Sequence, residues 1–460
     1  MSTLTLRNAF TVFEDGGRPA DIYIDGEVIV GVYGPGSAPR GDRVIECSGL
    51  AALPGLIDLH SHHREPGFTH KEDITSSGLQ CAAGGVTVSV GMPNVSPIPN
   101  TAAVVDEILD IYRAKSIVDY NLNPAATKLE EIEAIAQRGV LAFKIFMVED
   151  TGRDYPHMPG LGVHDHGRLF STFREVAKTG RPLMVHPHDQ SLMDVIEQEF
   201  WQRGERDALA YAKAYSYGDG LVWDVAVATL LRLQEATDVR LHLLHTMTTR
   251  TVKMIAAAKR AGRTVTAEAN PWALWLGNDW ANIERLGSYA LSYYVPPAGS
   301  AAVYAGLIDG TVDMIATDHA PHLREEKEIG WTDGWKAHTG TPSLQFYLSL
   351  LLTDVNAGKI SLERAAYITA TAPAKAVDLY PRKGAIQVGA DADIVLVDLA
   401  RRHTISDAEV LSKCGWTPYA GREVVGIPVS TILRGSFVFE DGLVTGSPGA
   451  GHQATPVGST

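Results

Sequence analysis

Cysteine is scarce in this chain: Cys47, Cys81 and Cys414 are the only three in 460 residues. An odd and scattered set supplies neither a disulfide framework nor a zinc knuckle, so a reducing cytosol is the expected home. No apolar run reaches the roughly 18 residues that a membrane-spanning helix needs. The opening stretch, MSTLTLRNAFTVFEDGG, lacks a basic start, an apolar run and a small-residue cleavage site, so no signal peptide is expected. Positive charge is also short. The 40 Lys and Arg against 54 Asp and Glu leave a formal net charge of −14, and no basic run stands out. Nucleic acid would be repelled on average, although a few gathered cations can still hold a small anion.

What the chain has is material for a large core. Its 45% hydrophobic and 20% charged content is that of an ordinary globular protein. Residues 3–48 and 384–444 both alternate apolar and polar positions between Gly/Asp turns, the pattern of short antiparallel strands. The two ends are therefore expected to pair into one small β-sandwich domain, residues 1–52 plus 381–445. Residues 446–460, small and polar, are expected to be a disordered tail.

Residues 53–380 follow a different rhythm. Short apolar strands alternate with amphipathic helical stretches such as KLEEIEAIAQR and TVKMIAAAKRA, which predicts an α/β fold of the (β/α)8 TIM-barrel type. Eight strand segments are placed at 53–60, 86–93, 116–122, 141–147, 182–186, 239–245, 263–269 and 313–318.

Barrel enzymes carry their chemistry at the C-terminal ends of the strands. His60 and His62 end the first strand, Lys144 sits in the fourth, His186 ends the fifth, His245 the sixth and Asp318 the eighth. Strand side chains alternate faces, so His60 and His62 point the same way, as two ligands of one ion require. Taken singly, each histidine is more often a hydrogen-bonded core residue, and Asp318 a helix cap. Their joint position at strand ends is what points to a metal centre. Lys144 lies among Phe143, Ile145, Phe146 and Met147, where a lysine needs a partner. That partner is a nearby carboxylate, or else the amine is carbamylated by carbon dioxide and becomes an anionic ligand shared by two metals.

At this constellation the sequence resembles the amidohydrolase superfamily, and within it the cyclic amidases: dihydroorotase, hydantoinase and allantoinase. Three stretches are most similar to dihydroorotase: GLIDLHSHHREPGFTHKED (55–73), AAGGVTVSVGMPN (82–94) and ATDHAPHLREEK (316–327). The resemblance implies that His60, His62 and Asp318 hold one divalent ion and His186 and His245 a second. Carbamylated Lys144 would bridge them, and zinc is the expected metal. It implies further that Arg64, Asn94 and His322 bind a substrate carboxylate, that Asp318 is the catalytic proton carrier, and that the enzyme is a homodimer or homotetramer acting on a small, anionic cyclic amide. Departures fall on the substrate side. NPWALWL (270–276) replaces the family's PHHL, which would add the apolar surface of Trp272 and Trp275. VPPAGS (295–300) replaces NPPLR, a departure spanning Val295 and Ala298 that makes the segment less polar. The stretch PHMPGLGVHDHG (156–167) is a candidate pocket-covering loop. Alternatives are a hydantoinase (dihydropyrimidinase), an allantoinase, or an amidase for another lactam or imide. A catalytically silent scaffold relative would have lost ligands, yet all six positions are filled. A mononuclear deaminase lacks the strand-four lysine.

Overall fold

Eight short parallel strands form a barrel in the computed structural model, which describes residues 2–148, 160–290 and 297–458. They are β1 Leu56–Ser61, β2 Val86–Gly91, β3 Asp119–Leu122, β4 Phe143–Phe146, β5 Leu183–His186, β6 Leu241–Leu243, β7 Val265–Ala269 and β8 Met314–Ile315. Each overlaps one of the eight expected segments. β1–β3 form one hydrogen-bonded sheet and β4–β8 another. Isolated parallel bridges, Ala125 to Lys144 and Ser61 to His319, join the two at their edges.

The sequence alternation decides which side chains face inward. Phe143, Ile145, Leu183, Val185, Leu241, Leu243, Val265 and Ala267 belong to one apolar cluster with Phe173, Leu230 and Ile255 of the surrounding helices. With period two, Lys144, His186, His242 and Glu268 must then face the barrel interior. The helices start where the sequence supplies caps. Asp73, Thr101, Asp165, Asp189 and Thr248 each accept a hydrogen bond from the backbone N–H three residues on.

Both chain ends contribute to a second, nine-stranded sheet. Strand Ala51–Pro54 lies at its centre, antiparallel to Ile394–Thr404 and parallel to Thr3–Phe13. Leu6, Ile22, Ile24, Ile394, Leu396 and Ile432 give this domain a core of its own. The expected first barrel strand is thus divided: residues 51–54 serve the end domain and 56–61 the barrel.

The expected disordered tail is corrected for residues 446–458. Tyr120 N–H donates to the His452 carbonyl at 3.0 Å, Ala454 N–H returns a bond to the Tyr120 carbonyl at 2.9 Å, and Ala454 is buried. The low side-chain bulk that suggested disorder is what allows this fit. A Cβ on Gly451 would stand 2.0 Å from the Val118 carbonyl oxygen, so only glycine lets the chain approach β3. The three cysteines are buried and free of disulfides, and no described helix is long and apolar enough to cross a membrane.

Candidate active site

At the mouth of the barrel the strand-end residues converge. His60, His62 and Asp318 bring ligand atoms within 4.8 Å of one another. Asp318 Oδ1 lies 3.1 Å from His60 Nε2 and 3.3 Å from His62 Nε2, and its Oδ2 lies 3.5 Å from His245 Nδ1. The His245 ring is 4.9 Å from that of His60 and 4.8 Å from that of His186, centroid to centroid, so the histidines form a continuous group. Trp223 and His188 pack beside His186 at 5.7 and 6.3 Å. His63, the third histidine of HSHHR, turns away and is satisfied in the core by Tyr112 Oη at 2.6 Å and Ser89 Oγ at 2.9 Å.

Lys144 is fully buried, with its Nζ 4.2 Å from the centre of the Phe146 ring and without a hydrogen-bond partner. Among the described residues no carboxylate pairs with it directly, which disfavours the simpler reading of a buried ion pair. Burial pushes its pKa down to about 7, against the upward pull of Asp318 and Glu268. An amine that is substantially uncharged near neutrality is the form that carbon dioxide can capture. This orphaned buried nitrogen, beside a cluster of histidines and an aspartate, fits a site built to be completed by a metal centre.

Backbone strain marks the same residues. Arg64, His245 and Asp318 have φ of +61°, +54° and +46°, a conformation that side chains other than glycine seldom adopt. Such strain costs roughly 1–3 kcal/mol per residue and collects where a side chain must be aimed.

Two further clusters of potential ligands are already occupied by lysine. Lys383 Nζ lies 2.7, 2.9 and 2.7 Å from carboxylate oxygens of Asp119, Asp391 and Asp393. Lys71 Nζ lies 2.5 Å from Glu326 Oε1, 3.4 Å from His322 Nδ1 and 3.2 Å from His338 Nδ1. An ammonium group stands where a metal ion would need to be, so neither cluster competes with the centre at Asp318.

Of the residues expected to bind an anion, Arg64 and His322 lie together. Arg64 Nη2 is 3.1 Å from His322 Nε2, and both side chains are buried. The loop carrying Asn94, also buried, is tied to the loop after Arg64 by the bond from Ser96 N–H to the Pro66 carbonyl, 3.1 Å long. Two basic residues missed in the sequence stand close by: Lys71, and the buried Lys327, which donates to the Gly340 carbonyl at 3.0 Å. Burial, together with Arg64, Lys71, Lys327 and His338, holds the His322 pKa well below the usual histidine value. The neighbourhood is therefore cation-rich in a chain whose overall charge is strongly negative.

Trp272 and Trp275 are buried in the large apolar core, and Trp275 Nε1 donates to Asp354 Oδ2 at 2.8 Å. The polar residue before them matters more, since Asn270 Oδ1 lies 3.0 Å from His245 Nδ1. Val295 and residues 156–159 of the expected covering loop lie outside the described residues.

The amidohydrolase family profile matches residues 51–438. This chain belongs to the amidohydrolase family. It is 31% identical over 465 residues to a dihydroorotase of Methanosarcina acetivorans, covering 98% of this chain and 95% of that one. It is 30% identical to an L-hydantoinase of Paenarthrobacter aurescens, covering 99% and 98%. Among solved structures it is similar to an L-hydantoinase (dihydropyrimidinase) from Arthrobacter aurescens, with a TM-score of 0.93, 28% identity, and coverage of 99% of this chain and 100% of that one. This amidohydrolase is therefore a hydrolase with the barrel and end-domain architecture its sequence implied, and it carries candidate metal-ligand clusters.

Proposed function

We propose that this amidohydrolase opens, or in reverse closes, an in-ring amide C–N bond of a small cyclic amide, imide or ureide bearing a carboxylate, with a dihydroorotate-like ring the preferred substrate. The observation that carries the chemistry is the convergence of His60, His62, His245 and Asp318 on one point, beside the unpartnered amine of Lys144. His60, His62 and Asp318 would hold one divalent ion, His186 and His245 a second, with carbamylated Lys144 shared between them. Zinc suits such a mixed nitrogen and oxygen ligand set. When bound, such ions lower the pKa of water to about 7 and polarise the amide carbonyl.

The chain's own groups supply the remainder. Asp318 accepts the proton of the attacking water and returns it to the departing ring nitrogen. Its position among three imidazoles keeps that carboxylate aimed at the reacting atoms. Arg64, Asn94 and His322 hold the carboxylate, with Lys71 and Lys327 adding positive potential behind them. The buried, scattered cysteines suit a cytoplasmic enzyme, and a homodimer or homotetramer is the assembly the family resemblance implies.

A hydantoinase-like substrate is the second reading. The L-hydantoinase similarities favour it, as does VPPAGS, where Val295 stands in place of the asparagine of NPPLR. Steady-state rates on dihydroorotate, hydantoin, dihydrouracil and allantoin separate the two. A charge-assisted contact contributes about 1.5–3 kcal/mol, so Arg64→Ala should lower kcat/KM on dihydroorotate by roughly 10- to 150-fold. Hydantoin turnover should change little. Equal losses on both rings would remove Arg64 from carboxylate recognition.

A further inference from the structure

Strand β7 carries no expected metal ligand, yet it and the residue that follows it send two buried polar side chains towards the centre. Glu268 is fully buried. Its Oε1 lies 2.6 Å from His60 Nδ1 and accepts from Asn270 Nδ2 at 3.1 Å, while its Oε2 lies 3.2 Å from His242 Nε2. Asn270, two residues on and therefore on the same face of the chain, donates through Nδ2 to the Ala316 carbonyl as well, at 2.9 Å. Those two acceptors fix which end of the amide is nitrogen. Asn270 Oδ1 is then the atom 3.0 Å from His245 Nδ1.

We propose that Glu268 and Asn270 form one positioning brace that sets the tautomer and orientation of His60 on β1 and His245 on β6. The chain of bonds runs from His60 Nδ1–H to Glu268, from Asn270 Nδ2–H to the same carboxylate, and from His245 Nδ1–H to Asn270 Oδ1. Holding the proton on Nδ1 of both rings leaves each Nε2 with its lone pair free to bind a metal. The charge of Glu268 also makes His60 a stronger donor, and the link through Asn270 couples the two histidines. Such partners of metal-bound histidines typically alter metal affinity 10- to 100-fold.

Glu268 could instead be a ligand, since its carboxylate falls within 4.8 Å of ligand atoms of His60 and His245. The geometry argues otherwise. Glu268 sits behind His60 at Nδ1, whereas Asp318 faces Nε2 on the far side of the ring, 3.1 Å away. One ion cannot contact both Nε2 and the carboxylate behind the same imidazole, and both Glu268 oxygens already accept from N–H groups.

The test is a cobalt(II) titration of the full-length, chelator-stripped protein, followed by visible absorption, which reports affinity and ligand geometry independently of turnover. Glu268→Gln preserves shape and removes the charge. It should weaken cobalt binding by about 10- to 100-fold and alter the absorption bands, with metal-free thermal unfolding near that of wild type. Asn270→Ala should weaken the later-filling or more weakly held equivalent through His245. Unchanged affinity and spectra in both variants would overturn the brace. If Glu268→Gln does not fold, Asn270→Ala tests the same brace alone, and unaltered cobalt binding there is sufficient to reject it. The inference rests on the metal-centre reading, and the two fail separately. Wild-type protein that binds no cobalt sinks the metal centre, whereas cobalt binding indifferent to both substitutions sinks only the brace.

Discussion

Lys144→Met is expected to abolish activity while leaving the fold intact. Methionine nearly matches the stem of lysine in volume and is at home among Phe143, Ile145 and Phe146, so a lysine that served only packing would be replaced without loss. Removing a buried amine without a hydrogen-bond partner also relieves a desolvation cost, so the metal-free variant should unfold at the wild-type temperature or above. Activity should behave in the opposite way. If carbamylated Lys144 joins two ions, its loss should lower bound metal from about two equivalents to one or fewer. It should also cut kcat/KM by at least about 10³-fold, some 4 kcal/mol of transition-state stabilisation. Metal analysis and calorimetry on the same preparation check both halves. A variant that keeps two metals and its turnover would show that Lys144 is core.

The same residue predicts a pH dependence. With its pKa pushed down to about 7, Lys144 is mostly protonated below that pH and mostly a free amine above it. Only the free amine combines with carbon dioxide. At a fixed concentration of dissolved carbon dioxide, reactivation of chelator-stripped enzyme by metal should therefore accelerate roughly tenfold per pH unit below 7 and level off above it. Stopped-time assays at a common pH, after reactivation at different pH values, would reveal that limb. Reactivation equally fast at pH 5.5 and pH 8 would contradict the carbamate.

Asp318→Asn is the second large effect. The residue lies at φ +46°, a region that asparagine, like aspartate, adopts with little penalty, so the substitution adds no new backbone strain. It keeps an oxygen for ligation and removes the basicity needed to accept a proton. General acid–base catalysis contributes about 10²- to 10⁴-fold, and kcat should fall by that amount, with metal retained to a much greater degree than in Lys144→Met. If kcat falls only in proportion to lost metal, Asp318 is a ligand and nothing more.

The barrel was legible because parallel strands buried on both faces leave short apolar runs, and because its polar exceptions cluster at the strand ends. His60 and His62 were legible as a pair from their spacing, and the structure places His63 apart from them, against Tyr112. Glu268 was not singled out by the sequence. Its partner His60 is 208 residues away in sequence, and no local pattern announces a bond across the barrel. Lys71 and Lys327 were hidden for the same reason, since each takes its meaning from His322 or the loops around it. Trp275 misled because composition cannot distinguish an aromatic that lines a pocket from one anchored in the core by Asp354. The tail misled because small residues were read as lack of cohesion, whereas Gly451 and Ala454 are small so that the chain can reach β3.

A two-metal centre that hydrolyses a cyclic amide should be emptied by a chelator and restored by zinc. Its most direct test strips the native protein with a chelator and returns zinc in measured increments, while hydrolysis of dihydroorotate and hydantoin is followed. Activity that vanishes on stripping and returns to a plateau near two equivalents per chain, greater on the carboxylated ring, is the predicted result. Full hydrolysis by the metal-free protein, or no hydrolysis of either ring once two equivalents are bound, would contradict it.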